Sequence, residues 1–162
     1  MEISGIFLIE IEKQCKFAIT AFEYISIGLE KNDHNLLWYS LQNFLIAVGN
    51  ISKILWPSNK AYTKRGEYLR RFFNVEDNSS LKQRTFRNHF EHFDERLEDW
   101  AKSSKKNNFI DSNVGSIVSV GGIEDCLRNF DSDTWCLTFQ GDQYDIKQVE
   151  TDIQCILSRI KK

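Results

Sequence analysis

The chain has 162 residues, of which 41% are hydrophobic and 27% charged, a composition typical of a soluble globular protein. Its 21 Lys and Arg against 23 Asp and Glu give a formal net charge of -2, which disfavours both a uniformly basic nucleic-acid-coating protein and an acidic disordered tail. One Pro and eight Gly, beside 12 Phe, 4 Trp and 5 Tyr, indicate a helix-rich fold with much aromatic surface to bury.

Neither the N-terminus nor the cysteines point to secretion. The first ten residues lack the basic start of a secretion signal, and the most apolar segment, residues 44–56, is shorter than the ~20 residues that span a bilayer. We therefore expect a cytoplasmic protein without a membrane span. The cysteines form no C-x-x-C pair, which argues against a zinc knuckle and indicates reduced, mostly buried thiols; they are Cys15, Cys126, Cys136 and Cys155.

Two long helices are predicted first. Apolar residues recur every three or four positions from Phe7 to Leu29, and again from Leu37 to Leu55. Asp33 lies between these runs and can cap the second helix, which should end at Trp56-Pro57. A short connection between two long helices predicts that they pack antiparallel, as in a helical bundle.

Two further helices follow. Residues 62–74 combine apolar and basic side chains in a shorter helix, and residues 76–80 read as a loop. Ser80 and Gln83 then form a capping-box pattern. The apolar residues from Phe86 to Trp100 again recur at helical spacing, so we expect one continuous helix that ends near Ser104.

The C-terminal third changes character. Alternating residues predict a strand at 116–120, and residues 134–145 predict a β-hairpin that turns at Gly141-Asp142. A last helix runs from Ile146 to Ile160 after a capping pattern of Asp145 and Gln148. The expected fold is mainly α: an antiparallel bundle of four to five helices in a single domain, 1–162, with a small β-hairpin insertion at about 110–145 before the C-terminal helix.

Two of the three histidines lie in the fourth helix, three residues apart. At 100° per residue, His89 flanks the apolar stripe, which indicates a packing role, whereas His92 lies on the opposite face with Asn88 and Glu95. His92 should therefore face either water or a second chain. Glu95, one turn further on, is a candidate hydrogen-bond partner for its ring.

Three chemistries can use these residues. His89 and His92 could bind a metal with Glu95 or Asp99 as a carboxylate ligand, although no second ligand cluster exists in the sequence. One of the cysteines could act as a nucleophile with a histidine. Alternatively, Arg87 and His92 could cleave a phosphodiester, because Arg matches phosphate oxygens and His transfers protons near neutral pH. RNA carries its own 2′-hydroxyl nucleophile, so that third site needs no metal.

Arg87-Asn88-His89-Phe90-Glu91-His92 is similar to the signature of the HEPN family, which is Arg, four to six residues and then His, with a polar residue directly after the Arg. The position of this motif, on a late helix after two long antiparallel helices, adds to the resemblance. The resemblance implies an HEPN-like bundle over about residues 5–104 together with the last helix. It does not cover the strand-containing segment.

The resemblance also implies a homodimer in which the two motif helices face each other and form one composite cleft. Members cleave RNA without a metal or other cofactor and leave a 2′,3′-cyclic phosphate and a 5′-hydroxyl. They often act in toxin-antitoxin, phage-defence or CRISPR-associated settings. By this resemblance Arg87 would hold the scissile phosphate, Asn88 would orient the phosphate or the histidine, and His92 would be the general acid or base. The supporting role of Glu95 does not come from the family.

Charge is distributed unevenly around the motif. Residues 60–87 hold eight Lys and Arg and three acids, whereas residues 91–99 hold five acids and one Arg. The basic segment supplies candidate RNA-binding residues, namely Lys64, Arg65, Arg70, Arg71 and Arg84. The acids beside His92 oppose RNA binding by the motif helix. They leave open a second hypothesis, a catalytically inactive HEPN-like module that binds a nucleotidyltransferase or another protein.

Overall fold

A computed structural model describes residues 3–83, 85–103, 109–116 and 125–160, with the side chains of Ile3, Ser4 and Arg87 outside the description. The α-helices are α1 (Ile3–Glu30), α2 (His34–Leu55), α3 (Thr63–Phe73), α4 (Thr85–Glu91), α5 (Phe93–Ser103) and α6 (Ile146–Ile160). The strands are β1 (Asn113–Val114), β2 (Arg128–Asp131), β3 (Cys136–Phe139) and β4 (Asp142–Asp145). Single 3-10 turns occur at Lys60–Tyr62 and Ser80–Lys82. The mainly α prediction, with a small sheet before the last helix, is therefore confirmed.

The chain divides into two compact units, Met1–Arg84 with Gln148–Lys162, and Thr85–Lys147. The segment predicted as an insertion, about 110–145, thus groups with α4 and α5 in the second unit. That the whole chain forms one domain remains a prediction. None of the described helices is long and apolar enough to cross a membrane.

The first unit is built on the α1–α2 pair. As predicted, one apolar face of each helix is buried, with Ile11, Cys15 and Ile25 of α1 and Phe44 and Ile51 of α2 at 0% exposure. Further buried residues come from the shorter helices and include Leu69 and Phe73 of α3, and Val149, Ile153 and Ile156 of α6. Burial of these faces, rather than helix propensity, supplies most of the stability of such helices.

Local features align α1 with α2. The side chain of Asp33 accepts a hydrogen bond from the backbone N–H of Leu36 at 3.0 Å, which confirms the predicted cap. At the same end, a Cβ on Gly28 would lie only 2.8 Å from the backbone nitrogen of Leu37. The absence of a side chain at Gly28 therefore allows the two helices to approach closely.

The predicted capping box at Ser80 is wrong. Ser80 donates from both its backbone nitrogen and its hydroxyl to the Asp152 carboxylate of α6, at 3.0 and 2.9 Å, and Ser79 donates to the same oxygen at 2.7 Å. The Ser80 hydroxyl, which the capping pattern predicted to cap the next helix, therefore binds the Asp152 carboxylate. The 3-10 turn forms at this place and α4 begins only at Thr85.

The second unit contains α4, α5 and the sheet. The prediction of one continuous helix from Phe86 to near Ser104 is wrong, because the chain forms two helices that meet at His92. Phe90 near the end of α4 and Phe93 at the start of α5 both place their rings edge-on to Phe139 of β3, with ring centroids 5.6 and 6.3 Å apart. The His92 N–H still donates to the Asn88 carbonyl and the His92 carbonyl accepts from the Arg96 N–H, so the interruption is confined to this one residue.

The sheet has four strands in the order β1-β2-β3-β4, with β1 parallel to β2 and the other pairs antiparallel. The β3–β4 hairpin was predicted, but its turn lies one residue earlier than expected, because Asp142 already pairs with Phe139. Gln140 and Gly141 form the turn with φ of 47° and 88°, as a type I′ turn requires. Most of the strand predicted at 116–120 lies outside the described residues.

Candidate functional site

The motif residues lie at the junction of α4 and α5. Asn88 is an exposed residue of α4, and its carbonyl accepts a hydrogen bond from the His92 backbone nitrogen at 3.0 Å. The His92 carbonyl in turn accepts from the backbone nitrogen of Arg96 at 3.1 Å. The backbone of Arg87 is part of α4, whereas its side chain lies outside the described residues.

His92 is turned outward, as its position on the helical wheel predicted. Its side chain is 52% exposed, and its Nδ1 lies 3.3 Å from Oε1 of Glu95, one turn further along the chain. The predicted pair is therefore present. A carboxylate that accepts from Nδ1 orients the imidazole and leaves Nε2 with the lone pair, which is the arrangement a general base uses.

His89 points the other way, into the second unit. Its Nε2 lies 2.8 Å from Oδ2 of Asp142, its ring stacks on Phe139 with centroids 4.5 Å apart, and the Phe86 ring meets it edge-on at 5.8 Å. The residue is 6% exposed. The predicted packing role is thus confirmed, and the sheet supplies partners that the helical wheel did not reveal.

The described residues form no metal site around these histidines, and two of the four cysteines are poor candidates for a nucleophile. His89 and His92 face different surroundings, and no group of three His, Cys, Asp or Glu suited to a metal occurs in the part of the chain that is described. Burial raises the pKa of Cys15 to about 12 and that of Cys126 to about 11. These two thiols are protonated at neutral pH and hence poor nucleophiles.

The four cysteines are all free thiols, as expected for a reduced protein. Cys15 and Cys126 are buried, Cys136 is half-buried and Cys155 is exposed. The expectation of mostly buried thiols thus holds for two of the four.

Exposed carboxylates flank His92 in sequence along α4 and α5, and of these Glu95 and Asp99 share its face of the helix. Five acids between positions 91 and 99 are exposed; they are Glu91, Asp94, Glu95, Glu98 and Asp99. Two of them have cationic neighbours, since Lys102 lies 2.7 Å from Glu98 and Arg96 lies 3.8 Å from Asp99. The acidic surroundings anticipated from the sequence are therefore exposed and partly neutralised.

The predicted RNA-binding cations lie in different environments. Lys64 and Arg71 are exposed on α3. Arg70 is engaged within the first unit: it donates to the carbonyl of Leu55 at 2.5 Å, its Nε lies 3.4 Å from Asp77, and its guanidinium lies over the Trp56 ring.

Arg65 lies with its guanidinium 4.3 Å from the centre of the Phe7 ring and 5.2 Å from that of Tyr62. Arg84 lies outside the described residues. Of the four candidates within the described residues, Lys64 and Arg71 therefore offer the most accessible cations.

Two aromatic residues beside these cations were missed. Tyr68 and Phe72 are 47% and 45% exposed, and their rings lie 6.3 Å apart. Leu69 and Phe73 form the buried side of α3. The exposed side carries these two aromatic residues together with Lys64 and Arg71, and we call these four residues the α3 strip. The i, i+4 spacing of two aromatics among basic residues was the available signal.

Comparisons with protein-family models, with curated proteins and with solved structures give no match. What the chain does must therefore be argued from its own residues.

Proposed function

We propose that this protein is a metal-independent endoribonuclease of HEPN type that acts as a homodimer, with Arg87, Asn88 and His92 as its catalytic residues. The observation that carries the proposal is the outward His92, paired through Nδ1 with Glu95 and one helical turn from the exposed Asn88. This arrangement leaves an imidazole nitrogen open to a ligand from outside the chain.

In the proposed reaction the 2′-oxygen of a ribose attacks the adjacent phosphorus, and the bond from phosphorus to the 5′-oxygen breaks. The imidazole of one His92 removes the 2′-hydroxyl proton, and an imidazolium or water protonates the leaving 5′-oxygen. Arg87 would hold the two non-bridging oxygens, whose charge grows in the transition state. The products are a 2′,3′-cyclic phosphate and a 5′-hydroxyl, so neither a metal nor a protein nucleophile is needed.

The α3 strip supports RNA as the substrate. Exposed aromatic rings can stack on unpaired bases while adjacent cations contact phosphates, which is the usual combination in proteins that bind single strands. Lys64 and Arg71 supply the cations, and Tyr68 and Phe72 the rings. A cellular role in a toxin-antitoxin or phage-defence system, with an antitoxin as protein partner, is part of the proposal.

The exposed carboxylates around His92 favour a second candidate function. An acidic surface repels the phosphate backbone and attracts a basic protein surface. In that case the chain would be a catalytically inactive HEPN-like module that regulates a nucleotidyltransferase or another protein. The two candidates differ in a measurable property, namely RNA cleavage by the isolated chain.

The test is cleavage of varied single-stranded RNAs by the purified full chain in EDTA. We expect His92→Ala and Arg87→Ala to lower the rate about 10²- to 10⁴-fold, the range that general acid-base catalysis contributes. His34→Ala and Arg159→Ala replace exposed residues of the same types outside the motif and should cleave normally. A 2′,3′-cyclic phosphate on the product identifies the mechanism.

No cleavage by the wild-type chain, or equal cleavage by wild type and His92→Ala, would refute the enzyme proposal and favour the binding module. Loss of cleavage in EDTA that returns with a divalent metal would instead indicate a metalloenzyme. Circular dichroism and molar mass of each variant would confirm that folding and association are unchanged.

A further inference from the structure

The α4–α5 junction divides the residues of the proposed cleavage site between two helices. Arg87 and Asn88 belong to α4, Glu95 belongs to α5, and His92 is the single residue between the helices. The placement of the Arg87–Asn88 half of the site relative to the His92–Glu95 half therefore depends on the angle between α4 and α5. Residues at the ends of secondary-structure elements are the usual points at which such an angle changes, so contacts with the rest of the fold decide it.

The β3–β4 hairpin contacts the α4 side of the junction. Oδ2 of Asp142 lies 2.8 Å from Nε2 of His89, and the Phe139 ring stacks on this imidazole with centroids 4.5 Å apart. About one helical turn earlier, the Phe86 ring stacks on Tyr144 of β4 with centroids 4.9 Å apart. Two contacts one turn apart on the same side of α4 define both its position on the hairpin and its rotation about its own axis.

The same sheet contacts the α5 side of the junction. The side-chain amide of Gln140 donates a hydrogen bond to the backbone carbonyl of Arg96 at 3.1 Å. Phe93, the first residue of α5, places its ring edge-on to Phe139. The guanidinium of Arg128, on the neighbouring strand β2, lies 4.8 Å from the centre of the Phe93 ring. One polar and two aromatic contacts therefore hold the first turn of α5 against the sheet.

The two polar contacts lie on opposite sides of the interruption. Gln140 and Asp142 are two residues apart in the hairpin, whereas Arg96 and His89, which they contact, are seven residues apart and on either side of His92. A change in the angle between α4 and α5 would move at least one of these groups away from its partner. The contacts therefore oppose such a change.

The turn that makes these contacts is itself held in place. Gln140 and Gly141 form its two central residues, and Phe139 pairs with Asp142 across it. The backbone nitrogen of Gln140 also donates to the Leu127 carbonyl at 2.9 Å. A two-residue turn of this type matches the twist of its strands and leaves them little freedom. The hairpin can therefore act as a rigid support for both helices.

We propose that the β3–β4 hairpin is a positioning element of the cleavage site, in which Gln140 and Asp142 are positioning residues that hold α4 and α5 at the angle that the reaction requires. The catalytic consequence rests on the proposed function, whereas the restraint on the junction does not. The inference gives a role to the strand-containing segment, which the family resemblance does not cover. A misplacement of about 1 Å between reacting groups can cost about 10²-fold in rate, so the hairpin can affect cleavage without touching RNA.

The first test is amide hydrogen exchange at the junction, measured for each residue by NMR in the full chain. The backbone N–H groups of His92 and Arg96 report on the junction, because they donate to the carbonyls of Asn88 and His92 at 3.0 and 3.1 Å. We expect Gln140→Ala to accelerate the exchange of these two amides about five- to tenfold, as loss of one hydrogen bond implies, and to leave the amides of α1 and α2 unchanged. Gln154→Ala is the matched control, because it removes a hydrogen bond from another exposed glutamine, within α6.

The second test is the kinetics of RNA cleavage. Gln140→Glu keeps the length of the side chain, but an ionised carboxylate has no hydrogen to donate to the Arg96 carbonyl. We expect Gln140→Glu and Gln140→Ala to lower kcat about tenfold and to change KM less than about twofold, because the hairpin orients catalytic groups and does not bind the substrate. Gln154→Ala should cleave like the wild-type chain.

Unchanged exchange at His92 and Arg96 in Gln140→Ala would overturn the proposal, and so would an equal acceleration throughout α1 and α2, which indicates only a loss of overall stability. A raised KM with unchanged kcat would assign Gln140 to substrate binding and would also overturn it. Equal cleavage by the wild-type chain and both Gln140 variants would refute the positioning role and leave the proposed function intact. A wild-type chain that does not cleave RNA would refute the proposed function, and the exchange measurement would then decide by itself whether the hairpin restrains the junction.

Discussion

His89 and His92 show how differently two residues of one type can be placed within a single helical turn. The ring of His89 is buried on Phe139 with Asp142 as its partner, whereas the ring of His92 faces outward beside Glu95. Their wheel angles predicted this difference correctly. Asp142 could not be predicted as the partner, because it lies 53 residues away and is brought near only by the folding of the hairpin.

Replacement of Asp142 by Ala should destabilise the protein by about 1–2 kcal/mol. The change leaves Nε2 of a buried imidazole without its protein partner, and unpaired buried polar groups of this kind are costly. Asp142→Asn keeps an oxygen that can accept a hydrogen bond from the ring, so this variant should lose less stability than Asp142→Ala. The measurement is the urea midpoint of unfolding, with the exposed Asp133→Ala as control. Equal midpoints for Asp142→Ala and the control would contradict this prediction.

Asp111 is a half-buried carboxyl whose surroundings make its contribution to stability depend on pH. Burial raises its pKa, but hydrogen bonds and charge from Arg128, together with hydrogen bonds from Ser112, hold the pKa below its usual value. A carboxyl with a lowered pKa in the folded state stabilises the protein above its unfolded pKa, near 3.9. This contribution is lost as the pH falls through the folded pKa.

Asp111→Asn should therefore lower the free energy of unfolding by about 1 kcal/mol at pH 7, a value discounted for partial solvent exposure. The difference from wild type should shrink below about pH 4, as wild-type Asp111 becomes protonated. Chemical denaturation at pH 7 and pH 3.5 measures both values, with Asp133→Asn as control. A difference that is as large at pH 3.5 as at pH 7 would show that the ion pair is not its cause.

Among the elements, the long helices followed the sequence pattern most closely. A long apolar stripe along a helix favours burial of that one face, so the ends of α1 and α2 could be predicted to within about four residues, the largest difference being the start of α1 at Ile3 instead of Phe7. The α4–α5 segment has a similar seam, yet it forms two helices that are separated by one residue, His92. Strand β2 was missed because its four residues are too few for a clear alternating pattern.

Gly28→Ala tests the close approach of α1 and α2. The added methyl group would meet the backbone of Leu37 at 2.8 Å, and backbone cannot move aside as a flexible side chain can. We expect a net loss of about 1–3 kcal/mol, despite the higher helix propensity of Ala. Lys31→Ala, an exposed substitution in the adjacent turn, should be nearly neutral. Thermal unfolding measures both, and a Gly28→Ala variant as stable as wild type would contradict the observed spacing.

At the scale of the whole molecule, a net charge of -2 conceals opposite local charges. Most of the basic segment belongs to the first unit and the acidic segment belongs to the second. Arg70 is engaged in contacts within its own unit. RNA binding, if it occurs as proposed, would therefore rest on few cations, and salt should weaken it only moderately.

We predict a slope of about -2 for the logarithm of the RNA association constant against the logarithm of the salt concentration. This value corresponds to about three phosphate contacts with a single strand, among them those of Lys64 and Arg71. Either Lys64→Ala or Arg71→Ala should reduce the slope by about 0.7, whereas Lys31→Ala should not change it. Fluorescence anisotropy with the His92→Ala chain avoids cleavage during the titration. A slope near -5 would mean that additional cations contact the RNA.

The sequence by itself determined the mainly α class, the two long helices, the outward position of His92 and its pairing with Glu95. These features depend on residues within one or two helical turns, where periodicity dictates what lies together. Only the tertiary structure decided the interruption at His92, the partner of His89 and the hydrogen bonds from Ser80 to Asp152. Each depends on contacts between segments distant in sequence, or on their absence, and local periodicity carries no information about such contacts.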